Sequence, residues 1–508
     1  GDRVWHFEFS RVAEPGLYHV FDPLSGERSE DFEIAEDVHA EVRRHALRTY
    51  YYQRCGVAKA TPHADPRWTD APCHVGAGQD TACRPIGDPS GPALDLSGGW
   101  HDAGDYNKYV NFADGVVHQL FDAYDAAPYA FDDAAGLPDS GNGVPDLLDE
   151  CRFELEWFVR MQRPSGGVLH KISVDGFQAA SPPSADSAPR WYAPVTASAT
   201  ASACGAFARG ALVFRAFPGA SEQAFATDLE NAALAAWNWL QQNPAFSSYD
   251  NAGFSNVDAE DPASWQRIVR VVAASWLARL TGSSLYHNYV TANATTIPEL
   301  SLLNPQVGWS SPYEYELARS LISYAESPGA SPALAQTLRL AFADSMRGDW
   351  LPPIESGDDP YRAPISDGTY HWGSNSVRAR IGAMYGRAAK AEGARCDRAL
   401  HLQTARDHAH WLHGVNPLGL CFLSNMQEAG AERSIQEIYH GWFDDGTVWD
   451  RAVNGNPGPA PGIVPGGPNQ YFAPADAYNG PLLSRRWGSR SPRATAIGTR
   501  AGRRSRGR

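Results

Sequence analysis

Asp95–Val110, DLSGGWHDAGDYNKYV, is the stretch on which the reading of the whole chain turns. It sets Asp102 and Asp105 three residues apart, with two glycines and Trp100 before them and Tyr106 and Tyr109 after. Gly104 permits backbone angles that a Cβ resists, so both carboxylates can be aimed into a cleft. Aromatics exposed beside them would offer flat platforms to the C–H faces of sugar rings. A carboxylate that activates water and a platform that holds a ring are what polysaccharide hydrolysis requires. Without further context the same residues also fit a helix-capping turn with acids in its first turn.

Outward from this stretch the pattern is helical. AEDVHAEVRRHALRTYYYQR (35–54) carries apolar residues at helical spacing, and further helices are predicted near 111–126, 143–162, 196–216, 221–242, 263–281, 312–326, 331–346, 374–391 and 397–413. Small residues crowd TASATASACGAFARGA (196–211), which lets helices approach closely. About a dozen helices with long Gly/Pro/aromatic loops and no repeat suggest a helical toroid rather than a solenoid. Residues 1–34 differ: VWHFEFS (4–10), GLYHVFDP (16–23) and DFEI (31–34) read as strands, the last part of a small β-sandwich whose beginning is not in the sequence. At the other end NGNPGPAPGIVPGGPNQ (454–470) reads as an extended loop. From Pro481 the composition breaks into Arg, Gly, Ser, Ala and Thr, as in a basic disordered tail.

The 508 residues, 43% hydrophobic with 16 Trp and 21 Tyr, are those of a globular protein. A net charge of −15 argues against nucleic acid or an anionic membrane as partner. The balance is uneven: residues 1–476 hold 34 basic and 58 acidic residues, while 477–508 hold nine Arg and no acid. No run of 18 apolar residues is present, so no membrane span is predicted. Seven scattered Cys are too few for a disulfide scaffold. No signal peptide is visible, and a chain beginning at Gly1 leaves secretion open.

Three further groups carry possible chemistry. Cys55, Cys73, His74 and His101 have no short-spaced zinc pattern, and a buried free Cys is the ordinary fate of each cysteine. They are nonetheless the ligand types that closed zinc sites use in fours, and His101 directly precedes Asp102. DSGNGVPDLLDE (Asp139–Glu150) packs oxygen donors ahead of a helix, either for a hard cation or as a cap with Pro145 opening the helix. HWGSN (371–375), HGVNPLGLCFLSN (413–425) and EIYHGWF (437–443) supply later aromatic and His residues, each of which also fits an ordinary core position.

Taken together, these stretches resemble glycoside hydrolase family 9, the inverting cellulases, from about Val4 to Gly467, in the branch with an N-terminal immunoglobulin-like module. The resemblance implies an all-α (α/α)6 barrel catalytic domain over 35–480, preceded by a partial β-sandwich (immunoglobulin-like) segment in 1–34. It leaves 481–508 as an Arg-rich tail outside the family pattern. It implies endo-β-1,4-glucanase activity, with Asp105 as the base that activates water and Asp102 helping to hold that water. It also implies structural zinc on Cys55, Cys73, His74 and His101, and structural calcium on Asp139, Asn142, the Val144 carbonyl and Asp146. A second calcium loop falls at 255–262, where Asp258 and Asp261 are present but Pro262 replaces the usual acid. Trp372, Tyr439, His440 and Trp442 are the implied sugar contacts. The partner would be a β-1,4-glucan, the protein a secreted monomer, with no nucleic acid and no membrane.

One part of the pattern is missing. Inversion needs a second carboxyl as general acid, about 6.5–9.5 Å from the base. In the family this is a Glu near the C-terminus, followed by the last barrel helix. Here no Glu follows Glu437 and no Asp follows Asp476, and Glu437 stands in a different motif. Residues after about Pro481 therefore read as a shifted reading frame or an assembly scar, and hydrolysis of polymer is expected to be impaired. The rivals are a glucan-binding protein that does not cut, and another α/α-barrel enzyme acting from chain ends.

Overall fold

The computed structural model describes residues 4–177, 180–256, 260–294, 312–347, 351–370, 373–390 and 397–469, with the pair 494–495. Its helices are α1 (Ala40–Gln53), α2 (Val110–Ala126), α3 (Asp146–Met161), α4 (Ala197–Phe214), α5 (Ala220–Gln242) and α6 (Ala263–Thr281). They continue as α7 (Ser284–Ala294), α8 (Pro312–Ala325), α9 (Pro332–Ser345), α10 (Leu351–Glu355), α11 (Ser374–Ala388) and α12 (Arg398–Leu412). Each predicted helix is present. The spacing misses α7 and α10 for two reasons. In α7 only Tyr286, Val290 and Ala294 are buried, a single narrow line four residues apart that no broad apolar stripe announces. In α10 the sequence LPPIE places two prolines where helices are normally broken.

Alternate helices are neighbours. α4 packs on α2 and α6, and α6 packs on α8, forming an inner series. Around it α3 lies against α2 and α4, α5 against α4, α7 against α6 and α9 against α8, while α11 pairs with α12. This is the two-layered packing of an (α/α)6 barrel. α4 takes the most crowded place: nearly all of ASATASACGAFARGALVF is buried, and Leu155 and Leu229 fill the space that a side chain on Gly210 would need. No helix among the described residues is long and apolar enough to cross a membrane.

The expected β-segment is much reduced. Gly16–Tyr18 pairs antiparallel with Phe32–Ile34, and VWHFEFS forms no strand. Two three-residue strands with no third strand beside them among the described residues bury little, and Trp5, Phe7, Leu17 and Leu24 stay exposed. The immunoglobulin-like reading is thus not confirmed.

The Asp-bearing loop is fixed at both ends. Lys108–Tyr109 is the edge of a sheet of very short strands, pairing antiparallel with Lys171–Ser173, and α2 starts at the next residue. At the other end the backbone bridges the tail of α1: Cys55 N–H donates to Gly99 C=O (2.8 Å) and His101 N–H to Gln53 C=O (2.9 Å).

Candidate active site

The loop's glycines divide the work differently from the sequence reading. Gly98 and Gly99 have φ of 91° and 72°, in the left-handed region, and a Cβ on Gly99 would lie 2.6 Å from the Trp157 ring. Gly104 has no positive φ. It must be glycine because a Cβ there would stand 2.9 Å from the Tyr439 carbonyl and 3.1 Å from His440 Cα. The loop and the segment 439–441 therefore touch backbone to backbone, and Gly441 N–H donates to Gly104 C=O (2.6 Å).

Asp102 and Asp105 are both half-buried. Asp102 lines an open pocket with Tyr50, Gln53, Trp100, Tyr109 and Phe112. Asp105 Oδ1 accepts the Asn107 N–H (2.9 Å). Burial pushes the Asp105 carboxyl up to about 6, against the Asn107 N–H and the charges of Arg190 and Lys171. Asp102 is driven well above the usual carboxylate range by burial and by the Asp105 charge. Both carboxyls are thus held above the usual carboxylate range, and the Asp105 charge adds to the push on its neighbour.

The aromatics of the loop are not exposed, contrary to expectation. Trp100 is buried between two acids of α3: its N–H donates to Glu154 Oε2 (2.7 Å) and its indole N–H to Glu150 Oε2 (3.3 Å). Tyr106 is buried, donates its hydroxyl to Ala180 C=O (2.6 Å) and packs on His101 at 4.8 Å between rings. Alternation in the sequence gives no warning of this, because α3 and residue 180 supply the cover.

The structure gathers Cys55, Cys73, His74 and His101, all buried, with donor atoms within 4.8 Å of one another. Cys55 Sγ is 3.4 Å from His74 Nδ1, and Cys73 Sγ is 3.8 Å from His101 Nε2. Ligands about 2.0–2.3 Å from a tetrahedral zinc lie about 3.3–3.8 Å from one another, so this donor set fits zinc. His74 Nε2 faces Asp186 Oδ2 at 3.3 Å, the carboxylate that commonly orients a metal-bound imidazole.

The acidic loop is assembled differently from the sequence reading. Asp146 is grouped with Asp133 and Asp149, which that reading missed, and Asn142 donates to Asp149 Oδ1 (3.1 Å). Asp139 turns away to a 2.9 Å ion pair with Arg54. The Val144 N–H donates to Asn142 Oδ1 (2.7 Å). Asp149 stands one turn beyond Asp146 on the same helix face, a signal available from spacing; Asp133 had none. Burial, with Asp139, Asp146 and Asp133 around it, pushes Asp149 up to about 7. A divalent cation would relieve that crowding, so oxygen donors of this kind fit calcium. In the second loop Asp258 lies outside the described residues, and Asp261 is buried with its carbonyl accepting from Gln266 (2.6 Å).

Of the implied sugar contacts, Trp372 lies outside the described residues. Tyr439 is exposed. Trp442 is not in the cleft: its ring is 1% exposed and packs on Tyr52, Phe443 and Trp449. His440 is buried as well, and both its ring nitrogens are occupied by protein groups. Glu437 is buried, paired with Arg451 and grouped with Asp445 and Asp450.

Endoglucanase D of Acetivibrio thermocellus is 28% identical over 391 residues, covering 75% of this chain and 58% of that protein. Endoglucanase C of Cellulomonas fimi is 26% identical over 505 residues, covering 92% of this chain and 42% of its own. The chain thus spans about half the length of these curated relatives. Among solved structures, a metagenome-derived glycoside hydrolase family 9 endoglucanase superposes with a TM-score of 0.77 at 30% identity, covering 97% of this chain and 83% of that one. A Zn-binding triple mutant of the family 9 endoglucanase J30 gives 0.74 at 27% identity, covering 92% and 81%. The model of the family described as "Glycosyl hydrolase family 9" matches residues 39–486, six residues past the expected break at 480, and so the chain belongs to glycosyl hydrolase family 9.

Proposed function

We propose that this chain is an endo-β-1,4-glucanase of the inverting type, with Asp105 as the base that activates water and Asp102 as the neighbour that holds it. The observation that carries the reading is the pair itself: two half-buried carboxylates, both pushed above the usual carboxylate range, with Asp102 on the wall of an aromatic-lined pocket, in a family 9 chain. Cys55, Cys73, His74 and His101 would hold a structural zinc, with no position left for water. Asp146, Asp133, Asp149 and Asn142 would hold a structural calcium. The substrate is a β-1,4-glucan, and the protein works as a secreted monomer.

No Glu follows Glu437, which stands in a different motif and pairs with Arg451, so no residue of this sequence matches the family's general acid. General acid or base catalysis is worth typically about 10²–10⁴-fold. Polymer hydrolysis should then be weak, whereas a substrate whose leaving group needs no proton should still react. β-Cellobiosyl fluoride is such a substrate, and attack by water activated at Asp105 would give α-cellobiose and fluoride. Turnover of the fluoride with slow release of reducing ends from soluble β-glucan is the expected result. Retention of the β-anomer by NMR, or undiminished turnover in Asp105→Asn, would overturn the reading. Binding of glucan with no turnover of either substrate would favour a binding protein, the reading that the missing acid also supports.

A further inference from the structure

His440 lies in the segment that presses on Gly104, and its Nε2 faces both ends of the Gln53 amide, Nε2 at 3.1 Å and Oε1 at 3.3 Å, of which only the oxygen can pair with a protonated ring nitrogen. Trp442 N–H donates to its Nδ1 at 3.1 Å. A neutral imidazole that accepts at Nδ1 carries its proton on Nε2. That nitrogen stands 3.3 Å from Gln53 Oε1. The other end of the same amide, Gln53 Nε2, is 3.2 Å from the carbonyl of Ala103, the residue between Asp102 and Gly104. Burial holds the His440 ring neutral, down at about 3, so this proton arrangement persists across ordinary pH. Trp442 is itself locked in the aromatic packing around Tyr52 and Trp449. The chain of donors therefore runs from that packing to the peptide beside the first Asp.

We propose that His440 and Gln53 are positioning residues: His440 fixes the Gln53 amide, and Gln53 holds the Ala103 carbonyl, setting where Asp102 and Asp105 point. His440 on this account does not touch sugar. The inference rests on the reading of Asp105 as base, and it extends that reading to Gln53, on the pocket wall, and to His440, buried behind it. Gln53 suits the task because one amide carries both an acceptor oxygen for the His440 Nε2 proton and an N–H for the Ala103 carbonyl. Misplacement of a reacting group by about 1 Å can cost about a hundredfold in rate.

The test uses the whole chain, with β-cellobiosyl fluoride as substrate, cellotetraose as binding probe and hydrogen exchange of the 101–107 amides as a readout that needs no turnover. Gln53→Glu keeps an acceptor for His440 but removes the donor to Ala103. His440→Ala removes both bonds of the ring, and His440→Gln restores a donor near the position of Nε2. Gln53→Glu and His440→Ala should each lower kcat about ten- to a hundredfold, leave KM and cellotetraose affinity within about twofold, and speed exchange at 101–107. The double variant should be no worse than the weaker single one, because both act on one path. His440→Gln should recover most of the loss. A raised KM and weakened cellotetraose binding in His440→Ala, with Gln53→Glu behaving as wild type, would make His440 a sugar contact and overturn the proposal. Wild type that fails to turn over the fluoride would sink the hydrolase reading alone. In that case faster exchange at 101–107 in both variants upholds the tether, and unchanged exchange overturns it.

Discussion

Residues 95–110 and residues 4–34 use the same kinds of side chain. In the first, Trp100, Tyr106 and Tyr109 are 5%, 1% and 2% exposed; in the second, Trp5, Phe7 and Leu24 are 82%, 63% and 97% exposed. Both stretches run without long regular structure, so local propensity does not separate them. What separates them is cover. The loop is enclosed by α1, α3 and the 439–441 segment, each supplying a hydrogen bond to a named atom. The arm has two three-residue strands, one Nε2 contact from His6 to Pro360 C=O (2.9 Å), and little else over its aromatic rings. A hydrophobic residue stabilises only to the extent that neighbours remove it from water.

Substitutions should divide along the same line. The largest effect belongs to Asp105→Asn, which should lower turnover of β-cellobiosyl fluoride about 10²–10⁴-fold while leaving the urea midpoint near wild type. Trp100→Ala comes next: it deletes a buried ring and the indole N–H bond to Glu150, and should cost about 3–5 kcal/mol by urea unfolding. The acidic loop at 133–149 offers an intermediate case. Asp149, raised to about 7, keeps a proton in the fold at pH values where the unfolded chain has lost it, so without cation this group's contribution falls as pH rises from about 4 to 7. Calcium at a hundred times its dissociation constant should restore about 2.7 kcal/mol. The gain should be large at pH 8 and small at pH 5, where protons compete; an equal rise in melting temperature at both would contradict the site. Gly104→Ala forces a methyl against the Tyr439 carbonyl and should cost about 1–3 kcal/mol. Smallest of all, Trp5→Ser should stay within about 0.5 kcal/mol of wild type. If it costs as much as Trp100→Ala, the contrast between the two regions is wrong.

The helices were legible because an inner or outer place in a two-layered ring imposes an apolar stripe; α7 escaped because its stripe is one residue wide, and α10 because of its two prolines. The four soft donors were legible by residue type and by resemblance, since few other arrangements use two Cys and two His beside a reactive acid. Asp133 was not, because a loop that folds back on a helix start leaves no fixed spacing. Nor was the part played by His440. Gln53 and His440 are 387 residues apart, and only the close approach at Gly104 brings them together. The burial of Trp100 and Tyr106 was misread for the same reason: a cover formed by distant segments leaves no trace in local alternation.

Trp100, His101 and Asp102 are consecutive, yet each is answered by a different part of the protein: the acids of α3, the Cys55–Cys73–His74 group and the pocket. Because they share two peptide bonds, none of those three parts can drift without the others registering it. On the proposed zinc and hydrolase readings, stripping metal with a chelator should therefore lower turnover of the fluoride before circular dichroism changes.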